Sequence, residues 1–309
     1  MKHIFIINPV AGKSNQTKPI AAKINELFLN NEIEGTYRIE TTSGIGDATR
    51  IARKYALSNE DIYLYACGGD GTLNEVLNGC FGYDNVHLTS IPIGTGNDFV
   101  KSFAYDAIKD FLDLNQMVHA KEKIIDVLEV DGRYAINIIN AGFDAAIAKN
   151  MKKFKKLPLV NGSSAYNISL IYSFFTSLRN KMQFVIDDEL QSDREYTFSV
   201  LANGQYYGGS YKAAPFSDMQ DGLIDIILIP TLSRFKILKL INIYKRGEHL
   251  QTMYKDIIHF KRGRKVEILS KKPLTLCIDG EMSEYTNPTI TIHSASLKFM
   301  LPSTYTNKS

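Results

Sequence analysis

The sequence predicts a two-domain protein, with an α/β domain built on a parallel sheet followed by a β-rich antiparallel sandwich domain. Three observations predict this arrangement. Short apolar strands alternate with amphipathic helices through about the first 120 residues, as in β-α-β units. Glycine-rich loops follow three of these strands, and from about residue 123 short strands predominate. We therefore expect an α/β domain at residues 1–122, a β-rich domain at 123–301 and a polar tail at 302–309.

The first half of the chain has the pattern of a parallel sheet covered by helices. Strands are expected at residues 3–8, 36–41, 62–67 and 88–93. Helices are expected at about 17–30, where Ile20, Ile24 and Phe28 recur at helical spacing, after Asp47, which can cap a helix, and at 74–80. In such sheets ligands bind beyond the carboxyl ends of the strands, which is where the glycine-rich loops fall.

The second half begins with a hairpin, in which Asp131-Gly132 joins strands at residues 124–130 and 134–140. Two helices, at about 164–179 and 233–245, interrupt the strands that follow. Those strands are expected at 182–186, 196–202, 223–229, 265–269, 274–278, 289–293 and 297–301. Such a succession of short strands predicts an antiparallel sandwich or an open barrel.

The bulk composition is that of an ordinary globular protein, at 309 residues with 44% hydrophobic and 22% charged. The formal net charge of +3 is too small to indicate nucleic-acid binding. Three widely separated cysteines predict neither a disulfide framework nor a zinc site, and they fit a reducing cytoplasm. No apolar run reaches 18 residues, and the apolar start is too short for a signal peptide.

The first glycine-containing loop joins a strand to a helix and reads Asn8-Pro9-Val10-Ala11-Gly12-Lys13-Ser14. Backbone N–H groups at a helix start can bind a phosphate, and Lys13 can neutralise its charge. This is not a Walker P-loop, because Ile7 stands where that motif requires a glycine. On its own the loop is as typical of an ordinary turn as of a phosphate site.

The second and third loops each place a carboxylate among glycines. Gly68-Gly69-Asp70-Gly71-Thr72 follows a buried strand, and a carboxylate at Asp70 can hold Mg²⁺ on a triphosphate. The third loop reads Pro92-Ile93-Gly94-Thr95-Gly96-Asn97-Asp98-Phe99. It is not the dinucleotide fingerprint, because Phe99 occupies the third glycine position. Thr95 can donate to a phosphate, and Asp98 supplies a second carboxylate.

Together the three loops resemble the nucleotide-site motifs of the diacylglycerol kinase catalytic-domain family, which includes bacterial lipid kinases, sphingosine kinases and ceramide kinases. The resemblance covers nearly the whole chain. The glycine-aspartate loop is shared with NAD kinases and 6-phosphofructokinases, whereas the third loop points to the lipid branch. The resemblance implies an ATP-binding α/β domain, a β-rich lipid-binding domain and catalysis in the cleft between them.

The resemblance also implies roles for individual residues. Lys13, Asp70, Asp98 and Asp126 match a charged network around the nucleotide and its magnesium. The family often has Arg shortly after the third loop; here the residue is Lys101, to which no role is carried over. The positions that match the ATP-holding residues are Asn8, Pro9, Val10, Ala11, Gly12, Thr42, Gly69, Asp70, Gly71, Thr72, Leu73, Asn74, Glu75 and Thr95.

Two motifs of the second half acquire a function only through the resemblance. Asp218 and Asp221, with the carbonyl of Leu223, offer oxygen ligands suited to Mg²⁺, although from the residues alone this reads as a surface turn. In the family the matching residues hold a second, structural magnesium. Asp279-Gly280-Glu281 alone reads as a hairpin turn, and the resemblance implies that Glu281 takes the proton from the lipid hydroxyl.

The expected activity is therefore ATP- and Mg²⁺-dependent phosphorylation of a lipid alcohol. Two alternatives stay open, an NAD kinase-like enzyme on the same architecture and a non-catalytic nucleotide or lipid sensor. Expected partners are ATP, a lipid alcohol and, from the cytoplasm, the inner face of a membrane, with no nucleic acid. Basic groups at residues 149–156 and 261–265 are either solvated faces or contacts for anionic headgroups. A homodimer is a further expectation, which no motif supports.

Overall fold

The computed structural model of the protein describes residues 1–30, 35–58, 60–104, 106–142, 182–191 and 196–305. The chain folds into two compact units, Met1–Val127 with Ser294–Ser309, and Leu128–His293. The predicted helix at 164–179 and the basic group at 149–156 lie outside the described residues. None of the helices in the described ranges is long and apolar enough to cross a membrane.

The described elements alternate between helix and strand at first and are mainly strands afterwards. The helices are α1 Thr17–Leu29, α2 Asp47–Ala56, α3 Asp70–Cys80, α4 Ile108–Leu112, α5 Leu114–Val118 and α6 Arg234–Lys245. The strands are β1 Lys2–Ile7, β2 Thr36–Thr41, β3 Ile62–Gly68, β4 Val86–Pro92, β5 Lys121–Val130, β6 Arg133–Ala135, β7 Ile138–Gly142, β8 Gln183–Ile186, β9 Glu189–Leu190, β10 Tyr196–Ala202, β11 Tyr206–Tyr207, β12 Tyr211–Lys212, β13 Ile224–Pro230, β14 His259–Gly263, β15 Lys265–Leu269, β16 Leu274–Ile278, β17 Glu281–Tyr285 and β18 Thr289–Leu301.

The first unit contains the predicted parallel sheet, with strand order β2-β1-β3-β4. The apolar residues of β1 and β3 are almost completely buried, as expected for a sheet covered on both faces. The end of β18 continues this sheet in parallel, with Phe299 beside Leu88. Because β1, β3 and β4 run in the same direction, the loops that follow them emerge at one edge of the sheet.

Helix α3 begins four residues earlier than its apolar pattern predicts, at Asp70 instead of Asn74. Gly69 lies at the N-cap, and its carbonyl accepts the N–H groups of Thr72 and Leu73. Much of the glycine-aspartate motif is therefore the first turn of a helix. This places backbone donors and the positive end of the helix dipole at the sheet edge.

Asp47 does not cap α2 as predicted. Gly46, in the left-handed region, occupies the N-cap position, and Asp47 is the first helical residue. The Asp47 carboxylate accepts hydrogen bonds from the backbone and hydroxyl of Ser43 and from Arg50. The carboxylate that satisfies the start of α2 comes from Glu75, which accepts the N–H groups of Gly46 and Ala48 at 3.0 and 3.2 Å.

The second unit is the predicted antiparallel sandwich. One layer has the strand order β14-β13-β10-β7-β16-β17, with antiparallel neighbours throughout. The other contains β15, paired with β8 and with the first part of β18. Phe184 and Val266 of one layer pack with Ile139 and Ile278 of the other in a core of fully buried residues. From Phe198 onward, alternate residues of β10 face opposite sides of the sheet, and a register shift separates Tyr196 from this pattern.

The hairpin turn at Asp131-Gly132 is confirmed, with φ of 47° and 81° at these residues. Its second strand is divided, however, because β6 ends at Ala135 and the chain then enters β7 of the other layer. The two strands predicted at 289–293 and 297–301 instead form one strand, β18. Ala295, within that strand, has φ of 47°, and its N–H donates to Asp126 at 2.7 Å.

Two buried histidines, one in each unit, predict acid sensitivity. Burial, with help from the N-terminal amino group, lowers the pKa of His3 to about 4, and burial lowers that of His249 to the same value. A depressed pKa means that stability is complete above about pH 6.5 and is lost as the pH falls toward 4. Between pH 7 and pH 5 each histidine should therefore cost about 2 kcal/mol of unfolding free energy.

Urea unfolding at the two pH values measures this loss. His3→Gln and His249→Gln should each reduce it, whereas His119→Gln, at an exposed histidine, should leave it unchanged. An equal pH dependence in all four proteins would contradict the prediction.

Candidate functional site

The loops after β1 and β3 are joined through Asn8. Its backbone N–H donates to the carbonyl of Cys67 at 2.9 Å, and its side-chain amide donates to the hydroxyl of Thr72 at 3.0 Å. The Asn8 oxygen in turn accepts the N–H of Val10 at 3.1 Å. One side chain thus fixes the first loop against the first turn of α3.

Glycines allow the three loops to approach one another closely. Gly12 has φ of 80°, and a Cβ there would overlap the carbonyl oxygen of Ile93. A Cβ at Gly94 would overlap the Cα of Gly69. The N–H of Gly94 also donates to the carbonyl of Gly68 at 3.1 Å. Glycine is therefore required at positions 12 and 94 because backbone from another loop fills the space of a side chain.

Asp70 joins the second loop to the third. One carboxylate oxygen accepts the N–H of Asp98 at 3.0 Å, and the other accepts the N–H of Phe99 at 3.2 Å. A carboxylate oxygen has more than one lone pair, so these bonds leave acceptor capacity for a metal ion. The observed contacts make Asp70 an organiser of the loops, and its predicted place in a magnesium network stays a prediction.

Asp98 forms a buried ion pair with Lys101, with side chains only 7% and 8% exposed and the charged atoms 2.7 Å apart. The Lys101 ammonium also donates to the carbonyl of Gly96 at 2.8 Å. Lys101 therefore braces the third loop from within, a role that the sequence analysis did not assign. The sequence signal for this ion pair is that Asp98 and Lys101 carry opposite charges three residues apart.

The remaining nucleotide-site candidates differ in exposure. Val10, Lys13 and Thr95 are exposed, whereas Thr42, Thr72, Leu73 and Asn74 are buried. The exposed set lies on the first and third loops, where it is accessible to a ligand. Gly69 gives α3 no side-chain cap, so the start of this helix suits an anion.

Two other candidates bind backbone in the structure. Glu75, as described above, caps α2 and so fixes the segment that follows Thr42. The N–H of Thr42 itself donates to the carbonyl of Ile7 at 2.9 Å. Asp126 is buried and accepts the N–H of Ala295. These contacts attach neighbouring elements to the sheet that carries the loops, and a nucleotide role for either residue stays a prediction.

In the second unit, Asp218 and Asp221 lie exposed on one turn. Asp218 accepts the N–H of Gln220 at 3.1 Å, and Asp221 accepts that of Leu223 at 2.9 Å. The second oxygen of Asp221 lies 3.7 Å from the guanidinium of Arg262, which also binds Asp225 at 2.7 Å. Burial raises the pKa of Asp225, while Arg262 opposes that shift.

The donors at this turn fit a magnesium ion only in part. The two carboxylates are suitable ligands for Mg²⁺, but the positively charged guanidinium of Arg262 already lies beside the Asp221 carboxylate. In the described ranges, no group of three or more His, Cys, Asp or Glu residues has the geometry to hold a metal. The structural magnesium at Asp218, Asp221 and Leu223 therefore stays a prediction.

In the Asp279-Gly280-Glu281 motif, the first two residues connect β16 to β17 and the third begins β17. Asp279 and Gly280 have φ of 45° and 90°, the positive values typical of tight two-residue hairpins. Glu281 is exposed at the start of β17 and pairs with Ile278. The turn thus presents a carboxylate at the surface of the second unit.

Two known families match the chain over nearly its full length. Residues 2–130 match the family described as the diacylglycerol kinase catalytic domain. Residues 137–301 match the YegS C-terminal NAD kinase beta sandwich-like domain. The boundary between the matches falls close to the boundary between the two structural units.

Individual relatives agree with these matches. The diacylglycerol kinase of Bacillus subtilis strain 168 is 30% identical over 280 residues, which covers 90% of this chain and 88% of the relative. A diacylglycerol kinase crystal structure from Bacillus anthracis superposes with a TM-score of 0.69 at 19% identity, covering 99% and 98% of the chains. An NAD kinase from Archaeoglobus fulgidus in complex with ATP has a TM-score of 0.50 at 13% identity, covering 100% and 94%. The two structural likenesses show the fold.

The contact between the second and third loops yields a stability prediction. Gly94→Ala should lower the unfolding free energy by about 1–3 kcal/mol, because the new methyl group overlaps the Gly69 backbone. Gly44→Ala is the matched control, since a Cβ there meets nothing within 4 Å. Urea unfolding of both variants measures the difference, and equal stabilities would contradict the predicted overlap.

Proposed function

The chain belongs to the diacylglycerol kinase catalytic-domain family, and on that premise we propose that it is a lipid kinase. It transfers the γ-phosphate of ATP, with Mg²⁺, to a hydroxyl of diacylglycerol or a related lipid alcohol. The observation that carries this proposal is the interlocking of the three loops around the start of α3 through Asn8, Asp70 and the glycine contacts. That arrangement suits a polyphosphate, because contacts between the loops hold backbone N–H groups together at the start of α3.

In this proposal the nucleotide binds at the edge of the parallel sheet. Its phosphates meet the backbone N–H groups at the start of α3 and in the loop of Asn8 to Gly12, with Lys13 and Thr95 as exposed donors. Asp70 and Asp98 lie beside the phosphates and hold the third loop in place. Magnesium, when bound, neutralises the phosphate charge that would otherwise repel the incoming oxygen.

Glu281 is proposed as the general base. It accepts the proton of the lipid hydroxyl as that oxygen forms its bond to the γ-phosphorus and the bond to the β-phosphate oxygen breaks, releasing ADP. Glu281 belongs to the second unit, so the proposal requires the reaction to take place in a cleft between the two units. Catalysis then depends chiefly on positioning and on charge neutralisation.

The purified protein should be incubated with labelled ATP and a panel containing diacylglycerol, other lipid alcohols and NAD. We expect a labelled lipid, formed with Mg²⁺ and abolished by EDTA. Labelled NADP would favour the NAD kinase-like alternative. ATP binding without transfer to any acceptor would favour a non-catalytic sensor.

We also propose a cytoplasmic protein that contacts the membrane peripherally, because its substrate lies in a bilayer. Phe235 and Met253 are 80% and 71% exposed on the second unit and offer apolar contact. The basic group at 261–265 should attract an anionic membrane surface less strongly than its sequence suggests. Arg262 pairs with Asp225 and Lys265 with Glu267, at 2.7 and 2.6 Å, so much of its charge is compensated.

Replacing Glu281 tests the proposed base. Glu281→Gln should lower kcat by about 10²-fold or more, because the amide cannot accept the hydroxyl proton. ATP affinity, measured by calorimetry, should be unchanged. Glu284→Gln is the matched control, since it removes another exposed carboxylate from β17 and should retain turnover. Wild-type turnover in Glu281→Gln would show that the base is another group.

The second magnesium site has a separate readout. If Asp218 and Asp221 hold a structural ion, Mg²⁺ should raise the thermal midpoint of the wild-type protein in the absence of ATP. Asp218→Asn should abolish that increase. Asp256→Asn, which removes a carboxylate elsewhere in the second unit, should retain it. An increase of equal size in all three proteins would place the ion elsewhere.

A further inference from the structure

The carboxylate of Asp279 is occupied by backbone amides of a distant segment. One oxygen accepts the N–H of Ile136 at 2.8 Å, and the other accepts those of Asn137 and Ile138 at 3.1 and 2.9 Å. The N–H of Asp279 completes the contact by donating to the carbonyl of Ile138 at 3.0 Å. Four hydrogen bonds therefore connect a hairpin turn to residues more than 140 positions earlier.

The segment that Asp279 binds is the point at which the chain leaves β6 and enters β7. Further hydrogen bonds hold this segment in turn. The Asn137 side chain donates to the carbonyl of Tyr206 at 2.8 Å, and the Asn203 side chain donates to the carbonyl of Ile136 at the same distance. The N–H of Asn203 also donates to the carbonyl of Asn137 at 2.9 Å. Asp279 is thus attached to a segment that is itself fixed in the unit.

A second anchor lies on the other side of Glu281. Arg133 of β6 donates to the hydroxyl of Ser283 at 2.9 Å. Glu281 stands two residues after Asp279 and two residues before Ser283, so the anchors flank it symmetrically along the chain. With Gly280 between Asp279 and Glu281, the anchors supply the rigidity that the glycine lacks.

We propose that Asp279 is a positioning residue of the phosphoryl-transfer reaction, which sets the place of the Glu281 carboxylate through its cap on residues 136–138. The inference rests on the proposed function of Glu281. It assigns to Asp279 no contact with ATP, metal or lipid. An exposed glutamate on a freely moving turn would spend most of its time away from the productive geometry, and transfer is sensitive to displacements of about 1 Å.

The chain offers a matched control in Asp187. This residue lies in another turn of the second unit with φ of 48°, and its carboxylate accepts the N–H groups of Arg264 and Lys265, both at 2.9 Å. Asp187→Ala removes the same kind of carboxylate cap at a position far from Glu281 in the sequence. Asp279→Ala should lower kcat with the lipid acceptor by about 10- to 100-fold, whereas Asp187→Ala should stay within about twofold of wild type.

Further measurements separate positioning from general damage. The ATP affinity of Asp279→Ala should be unchanged. The lower activity of this variant should appear in kcat. Asp279→Asn, which retains one acceptor oxygen, should recover part of the turnover and serves if the alanine variant does not fold. Equal loss of turnover in Asp279→Ala and Asp187→Ala would overturn the inference and leave the proposed function intact.

A double variant decides whether Asp279 acts through Glu281. If it does, the residual turnover of Glu281→Gln should not fall further when Asp279→Ala is added, because there is no base left to position. Independent losses that multiply would contradict this inference alone. Wild-type turnover in Glu281→Gln would overturn both the assigned base and its positioning residue.

Discussion

The candidate nucleotide site depends on the carboxylate of Asp70. Its two oxygens accept the N–H groups of Asp98 and Phe99, and this contact joins loops that follow neighbouring strands of the parallel sheet. Charge-assisted bonds from amide to carboxylate are stronger than neutral ones, and here they act at the positive end of α3. Other contacts of the third loop are the Lys101–Asp98 pair, the glycine packing and the bond from the Gly94 N–H to the Gly68 carbonyl. The Asn97 side chain also donates to two carbonyls within the loop.

The same device recurs in both units. Asp126 accepts an amide of β18, Glu75 accepts two amides at the start of α2, and Asp187 accepts two amides beside β15. Asp279 accepts three. In each case a carboxylate satisfies backbone donors where regular pairing stops, so the acidic residues maintain the geometry of loops as well as providing charge.

The sequence was sufficient to predict the bounds of strands that have a clear apolar pattern. The bounds predicted for β2, β10, β15 and β16 agree with the structure, because turn residues interrupt the apolar pattern at both ends. The two-residue strands β9, β11 and β12 were missed, and so were two longer strands, β14 and β17. Both lie at the edges of the six-stranded sheet and are rich in polar residues, so their pairing partners and not their own patterns define them.

For the candidate site, residue types were predictable and partnerships were not. Carboxylates among glycines at strand ends indicated phosphate chemistry, but nothing local indicated that Asp70 would bind the backbone of Phe99 or that Asp126 would meet Ala295. Such contacts join positions 29 and 169 residues apart, and only the assembled sheet brings them together. Lys101 was given no role because the family often has Arg there and the two side chains differ in geometry; its pairing with buried Asp98 became evident only in the structure.

The course of β18 has a consequence for biosynthesis. Phe299 packs against Phe99 of the third loop and against Phe103 just after it, and the Thr89 hydroxyl donates to the carbonyl of Met300. The amino-terminal unit therefore lacks this strand of its sheet until the residues of the other unit have been synthesised. In the nascent chain the first unit stays incomplete while the residues of the second unit emerge from the ribosome. The unit whose synthesis begins first is therefore completed after the residues of the other have been made.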